Sequence, residues 1–157
     1  MRKITARGLL RVLFAAYCGV MLWLLFGRSS HDSGYGYWHS LLSNINLVPF
    51  QTTADLVRNL ICPPTPGLFT YAWVNLFGNV VVFIPLGIYL PMLWPKLQQW
   101  KQFFCVSSGI ILAIELLQLF TLRGILDVDD YILNILGLFM GFLFFHLCTR
   151  RRSDELI

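Results

Sequence analysis

Four apolar runs, each long enough to cross a bilayer, leave this chain few folds to choose from. They lie at about residues 9–26, 74–94, 103–122 and 131–148, and the first reads LLRVLFAAYCGVMLWLLF. A hydrocarbon core of about 30 Å needs roughly 20 residues of helix to span it. Inside hydrocarbon every backbone N–H and C=O must find its partner within the segment, so each run is predicted to be a helix. Charged residues make up only 13% of the chain, against about 25% in a soluble domain. The expected fold is an all-α membrane protein with four transmembrane helices. It forms a single domain over residues 1–157, with an interfacial or re-entrant segment in a long first outer loop, residues 27–73.

Arg2, Lys3 and Arg7 ahead of the first run resemble the start of a signal peptide. No small-residue cleavage pattern follows, because the run ends in Phe26-Gly27-Arg28. Cys18 sits behind the bulky Tyr17, which also argues against lipoprotein processing. The first run is therefore read as an uncleaved span. In the loop, residues 40–50 (SLLSNINLVPF) are predicted to lie along the membrane interface or dip into it. Residues 53–61 have a plausible N-cap and place Leu56, Val57 and Leu60 on one face of a short amphipathic helix. Pro63, Pro64 and Pro66 are expected to end it.

The formal net charge is +4, but it does not point to nucleic acid, since no motif for reading RNA or DNA is present. Instead the basic residues gather at the chain ends and in short loops. Four spans put both termini on one side, together with Lys96 and Lys101. Of the 12 lysines and arginines, only Arg28, Arg58 and Arg123 fall on the other side. The positive-inside rule then places both termini in the cytoplasm.

Four of the eight acidic residues fall within residues 114–134, IELLQLFTLRGILDVDDYILN. Glu115 is 12 positions past Phe103, about 18 Å along an outward-running helix at 1.5 Å per residue. Asn75 and Asn79 share a face in the outer part of the second span, as do Asp130 and Asn134 at the start of the fourth. Glu115, Gln118, Asn75, Asn79, Asn134, Arg123, Asp127, Asp129 and Asp130 thus occupy one layer near the outer surface. A charge at the bilayer centre costs about 2.5–3.5 kcal/mol on insertion scales, so such groups face the bundle interior or a wet cavity. A polar pocket open to the outer leaflet is the expectation.

Each residue also has a structural reading. Glu115 can pair with Arg123 or hydrogen-bond to Asn79. Asp127 suits an N-cap of the fourth helix, with Asp130 completing a capping box. The asparagines can act as glue between helices. Gly137 and Gly141 form a small-xxx-small pair that lets helices approach closely, and their face is a candidate homo-oligomer contact. Cys18, Cys62, Cys105 and Cys148 are too scattered for a zinc site or disulfide scaffold, and His31 and His39 have no third metal ligand near them in sequence. No metal ligand set and no cofactor are expected.

These same residues carry a family likeness. Asn46-Leu-Val-Pro49-Phe50 is followed by Asn79-VVVFI-Pro85-Leu-Gly87, then by Ile114-Glu115-Leu-Leu-Gln118-Leu-Phe120 and Arg123, and finally by Asp127-Val-Asp129-Asp130-Tyr-Ile-Leu-Asn134-Ile-Leu-Gly137. The order of blocks, over residues 46–141, resembles the VanZ-like family of small bacterial integral membrane proteins. The resemblance implies a place in the bacterial cytoplasmic membrane and a link to lowered susceptibility to teicoplanin.

Three functions are open at this point. The first is an envelope protein whose outward pocket takes a membrane lipid, a lipid-linked envelope precursor or a lipoglycopeptide antibiotic. Here Asn46, Pro49 and Phe50 form the rim, Asn75, Asn79, Gln118, Asp129 and Asn134 hydrogen-bond the ligand, and Arg123 takes a phosphate or carboxylate. The second is a membrane enzyme acting on such a lipid. Glu115 is then the general base, and the carboxylates of Asp127, Asp129 and Asp130 are available for a divalent cation. The third is an oligomeric transporter or flippase component with Glu115 as a proton site. No Walker motif, nucleophile elbow or HExxH is present.

Overall fold

The computed structural model describes residues 6–27 and 32–154. Arg2, Lys3, Arg28 and His31 lie outside the described residues, as do the side chains of Arg151 and Arg152.

Four helices are long and apolar enough to span a membrane: α1 Ala6–Phe26, α4 Pro66–Leu93, α5 Trp100–Phe120 and α6 Val128–Asp154. Two shorter helices, α2 Tyr37–Ser43 and α3 Gln51–Ile61, lie between the first two spans. A 3-10 turn, Pro95–Gln98, links α4 to α5. The expected all-α membrane architecture is the observed one.

Local chemistry explains where the elements begin. The second span starts at Pro66 and not at Val74. Pro66 occupies the first turn, where its missing N–H costs nothing, and Thr65 caps the helix by accepting from the Leu68 N–H at 3.3 Å. The proline cluster therefore closes α3 and opens α4. The fourth span likewise begins at Val128, directly after Asp127.

Phe83, Phe103, Ile111 and Leu138 are fully buried at the centre of the bundle, where Phe103 stacks on Phe142 at 4.1 Å. The outward surface carries Trp23, Leu112, Leu117 and Phe144, as a lipid-facing surface requires. Helices α4 and α6 form the tightest pair. A Cβ on Gly137 or Gly141 would strike the backbone carbonyls of Val80 and Ile84, and one on Gly87 would strike that of Leu138. The face expected to serve contact between copies is thus occupied by α4 of the same chain. Helix α1 is attached more lightly, through the Tyr17 hydroxyl, which donates to the Val82 carbonyl at 2.6 Å, and through Phe14 and Tyr17 against Tyr89.

The segment between α1 and α4 docks on the α5–α6 connection. Residues Ile45–Asn46 (β1) pair in parallel with Leu126–Asp127 (β2), with Ile45 beside Leu126 and Asn46 beside Asp127. The Leu126 N–H donates to the Asn44 carbonyl at 2.9 Å, and the Tyr37 hydroxyl to the Phe120 carbonyl at 3.0 Å. Leu41, Leu119 and Leu122 form a small second core beneath this junction. Two residues of strand are enough to set the register of the whole segment.

Candidate functional site

The site lies at the end of the bundle where α4 and α6 begin and α1 and α5 finish. Three interhelical contacts of buried polar side chains define it. The Asn79 amide donates to Asp130 Oδ1 at 2.6 Å, joining α4 to α6. The Asn134 amide donates to Glu115 Oε1 at 3.0 Å, joining α6 to α5. The Gln118 amide donates to the Leu25 carbonyl at 2.9 Å, joining α5 to the end of α1.

Glu115 and Asn134 are each only 2% exposed. Glu115 Oε2 and Asn134 Oδ1 have no hydrogen-bond partner. An unsatisfied buried acceptor costs about 1–3 kcal/mol, so this pair carries an uncompensated demand for a donor.

One cavity is lined by these residues and a wider one adjoins it. The inner one, about 50 Å³, is lined by Asn75, Asn79, Glu115, Gln118, Asp130 and Asn134, with Leu25, Tyr71, Gly124 and Ile125. The wider one, about 340 Å³, is lined by Ser43, Asn46, Thr52, Asp55, Leu56, Asn59 and Asp127. Tyr71, Asn75, Ile125 and Asp130 belong to both. A third, more apolar recess of about 240 Å³ lies on the flank and is lined by Leu47, Leu112, Leu126, Val128 and Tyr131, together with Glu115 and Asp127.

The acidic loop divides its carboxylates among different tasks. Asp127, at the N-cap of α6, accepts from the Asp129 N–H through Oδ1 at 2.8 Å. Its Oδ2 accepts from the Thr52 hydroxyl at 2.5 Å and the Asn46 amide at 3.2 Å. Asp129 turns away and caps α3: Oδ1 takes the Phe50 N–H at 2.6 Å and Oδ2 the Thr53 N–H at 2.8 Å. Helix α3 starts at Gln51, its N-cap position is Phe50, and Phe50 offers no oxygen of its own. A carboxylate from α6 therefore supplies the cap and suits the positive end of the helix dipole. Asp130 alone of the three points to Asn79. Among the described residues, no group of three or more His, Cys, Asp or Glu side chains is placed to hold a metal ion.

Of the expected site residues, the structure brings Asn46, Asn75, Asn79, Glu115, Gln118, Asp127, Asp130 and Asn134 into the walls of the two polar cavities. Asp129 is occupied by α3. Pro49 and Phe50 are exposed and form the turn into α3, with Phe50 at φ 64°. Arg123 is exposed and lines neither polar cavity. Its N–H and that of Gly124 donate to the Gln118 carbonyl, closing α5. Thr52, Asp55 and Asn59 were missed as site residues. Their signal was present in the polar residues of α3 that share a face with the buried Leu56, once that face is read as a cavity wall.

A multi-pass α-helical membrane protein with a carboxylate- and amide-lined cavity at one end of its bundle is the class this geometry defines. Residues 14–149 match the VanZ/LLP1 family, and the chain belongs to it. It is similar to Protein VanZ of Enterococcus faecium, with 26% identity over 157 residues, covering 99% of this chain and 82% of that protein. No solved structure matches.

Proposed function

We propose that this VanZ-like envelope protein binds the polar head of an amphiphile in the joined cavities: a membrane lipid, a lipid-linked wall precursor or a lipopeptide-like compound. The observation that carries the reading is the pair of unpartnered polar atoms on Glu115 and Asn134, two buried residues that line a polar cavity inside an otherwise apolar bundle. Groups that cost this much to bury mark function by default in a membrane. The basic residues at the opposite end favour an orientation with both termini in the cytoplasm and the cavity facing outward from the bacterial cytoplasmic membrane.

Native mass spectrometry of the full chain, released gently from membranes, tests the reading. The wild type is expected to carry a lipid or lipid-linked glycan that Glu115→Gln and Asn134→Ala lose while remaining folded. A wild type free of any adduct, or adducts equal in all three proteins, would sink it. By family resemblance, expression is expected to lower the host's susceptibility to teicoplanin.

An enzymatic reading has one observation in its favour. Glu115 lines a cavity and keeps one carboxylate oxygen without a partner, which suits a general base. Turnover of a bound lipid, abolished by Glu115→Gln, would establish it. The loop aspartates lend that reading little help, since Asp127 and Asp129 are taken up as caps.

A further inference from the structure

The chemistry of the cavity walls narrows the ligand further, on the footing of the binding reading above. The polar cavities are lined by four carboxylates, Asp55, Asp127, Asp130 and Glu115, and by no lysine, arginine or histidine among the described residues. An anionic phosphate entering here meets carboxylates and amides, with no cationic side chain in the lining. Asn134 Oδ1 is an acceptor, and so is Glu115 Oε2 in its carboxylate form. The Asn134 amide N–H already goes to Glu115 Oε1, and Asn134 Oδ1 and Glu115 Oε2 each lack a donor. A primary ammonium has three donors, no acceptor and the complementary charge.

Two of these carboxylates also line the recess on the flank. Glu115 lines the inner polar cavity and the apolar flank recess, and Asp127 lines the wider polar cavity and that recess. Each stands in the wall between polar and apolar space. The recess is walled by Leu47, Leu112 and Val128, and Leu47 and Leu112 are 67% and 49% exposed, which puts its mouth on the lipid-facing surface. The recess thus offers an apolar surface, reaching to the exposed Leu47 and Leu112, along which an alkyl chain attached beside Glu115 would run.

We propose that the site takes a primary ammonium carried on an alkyl chain, the ammonium set against Glu115 and Asn134 and the chain leaving through the recess formed by Leu47, Leu112 and Val128. An amine-bearing membrane lipid and an amine-bearing lipopeptide share this chemistry.

The test uses the full chain in phosphatidylcholine nanodiscs, titrated with tetradecylamine, tetradecanol, tetradecyl phosphate and butylamine, and corrected for empty nanodiscs. Tetradecylamine is expected to bind about tenfold or more tighter than tetradecyl phosphate, from a charge-assisted hydrogen bond. Glu115→Gln should erase that preference and leave tetradecanol unchanged. Leu112→Trp, at an exposed position that tolerates bulk, should weaken tetradecylamine at least fivefold and leave butylamine unchanged. Competition by phosphatidylethanolamine would assign the amine to a membrane lipid. Competition only by an added amine-bearing lipopeptide would assign it to that class, and both outcomes uphold the ammonium site. Phosphate binding as tightly as amine, or amine binding indifferent to Glu115→Gln, overturns the ammonium inference while leaving an amphiphile site standing. No binding by any probe overturns both.

Discussion

Asp129 and Leu122 show how single residues hold the site end together. Asp129 is 1% exposed, and both its oxygens accept backbone N–H groups at the start of α3. Asp129→Ala would leave those donors without their cap, with an expected loss of about 1 kcal/mol. Asp129→Asn, which keeps one acceptor, should lose less. Denaturation in detergent, with hydrogen exchange at Phe50 and Thr53, would show the order, and unchanged exchange at those two amides in Asp129→Ala would refute the capping role. Leu122 has φ 52°, a left-handed conformation that disfavours side chains. It closes α5 in a Schellman turn: the Leu122 N–H reaches the Leu119 carbonyl at 3.0 Å, and the Arg123 N–H the Gln118 carbonyl at 2.8 Å. Glu115, Asn79 and Asp130 were legible as site residues because polar groups in an apolar run are conspicuous. The cap formed by Asp129 was not, since its partners lie 79 and 76 positions away and nothing in local spacing links them.

Helices are placed by features that work at the level of the element. The four spans follow from run length, and the start of α4 from the Thr65-Pro66 cap once the prolines are read as an opening as well as a stop. What run length cannot tell is which helix a small-residue stripe faces. Gly137, Gly141 and Gly87 bring α4 and α6 within carbonyl contact, which in turn sets Asn79 beside Asp130. Gly137→Ala must push the helices apart. The expected cost is about 1–3 kcal/mol, the range for overpacking a filled interior, together with loss of whatever ligand the cavity holds. Thermal unfolding in detergent checks it. A Gly137→Ala protein as stable as wild type would mean that α4 moves aside at little cost.

For the whole molecule, the bundle sorts polar chemistry to one end and most of its basic residues to the other. That arrangement was readable from composition and the order of spans, because a membrane chain has only two ends to choose between. The cavities themselves were not readable. They depend on the segment between α1 and α4 folding back onto the α5–α6 connection through β1 and β2, and two-residue strands leave no periodic trace. Cys62 is exposed beside this end, next to the start of α4, and offers a native topology reporter. A membrane-impermeant maleimide is expected to label Cys62 on intact cells stripped of their outer envelope, with Cys62→Ser as the blank. Labelling only after permeabilisation would turn the molecule over and point the cavity inward. The cross-chain cap also bears on biosynthesis. Helix α3 leaves the ribosome long before Asp129 does, and β1 long before its partner β2. No nascent chain that stops short of β2 can pair β1, and none that stops short of α6 can cap α3, so the cavity is the last part of the protein to come into being. Until α6 is inserted, Glu115 is a carboxylate in a half-built bundle with neither Asn134 nor a pocket to face.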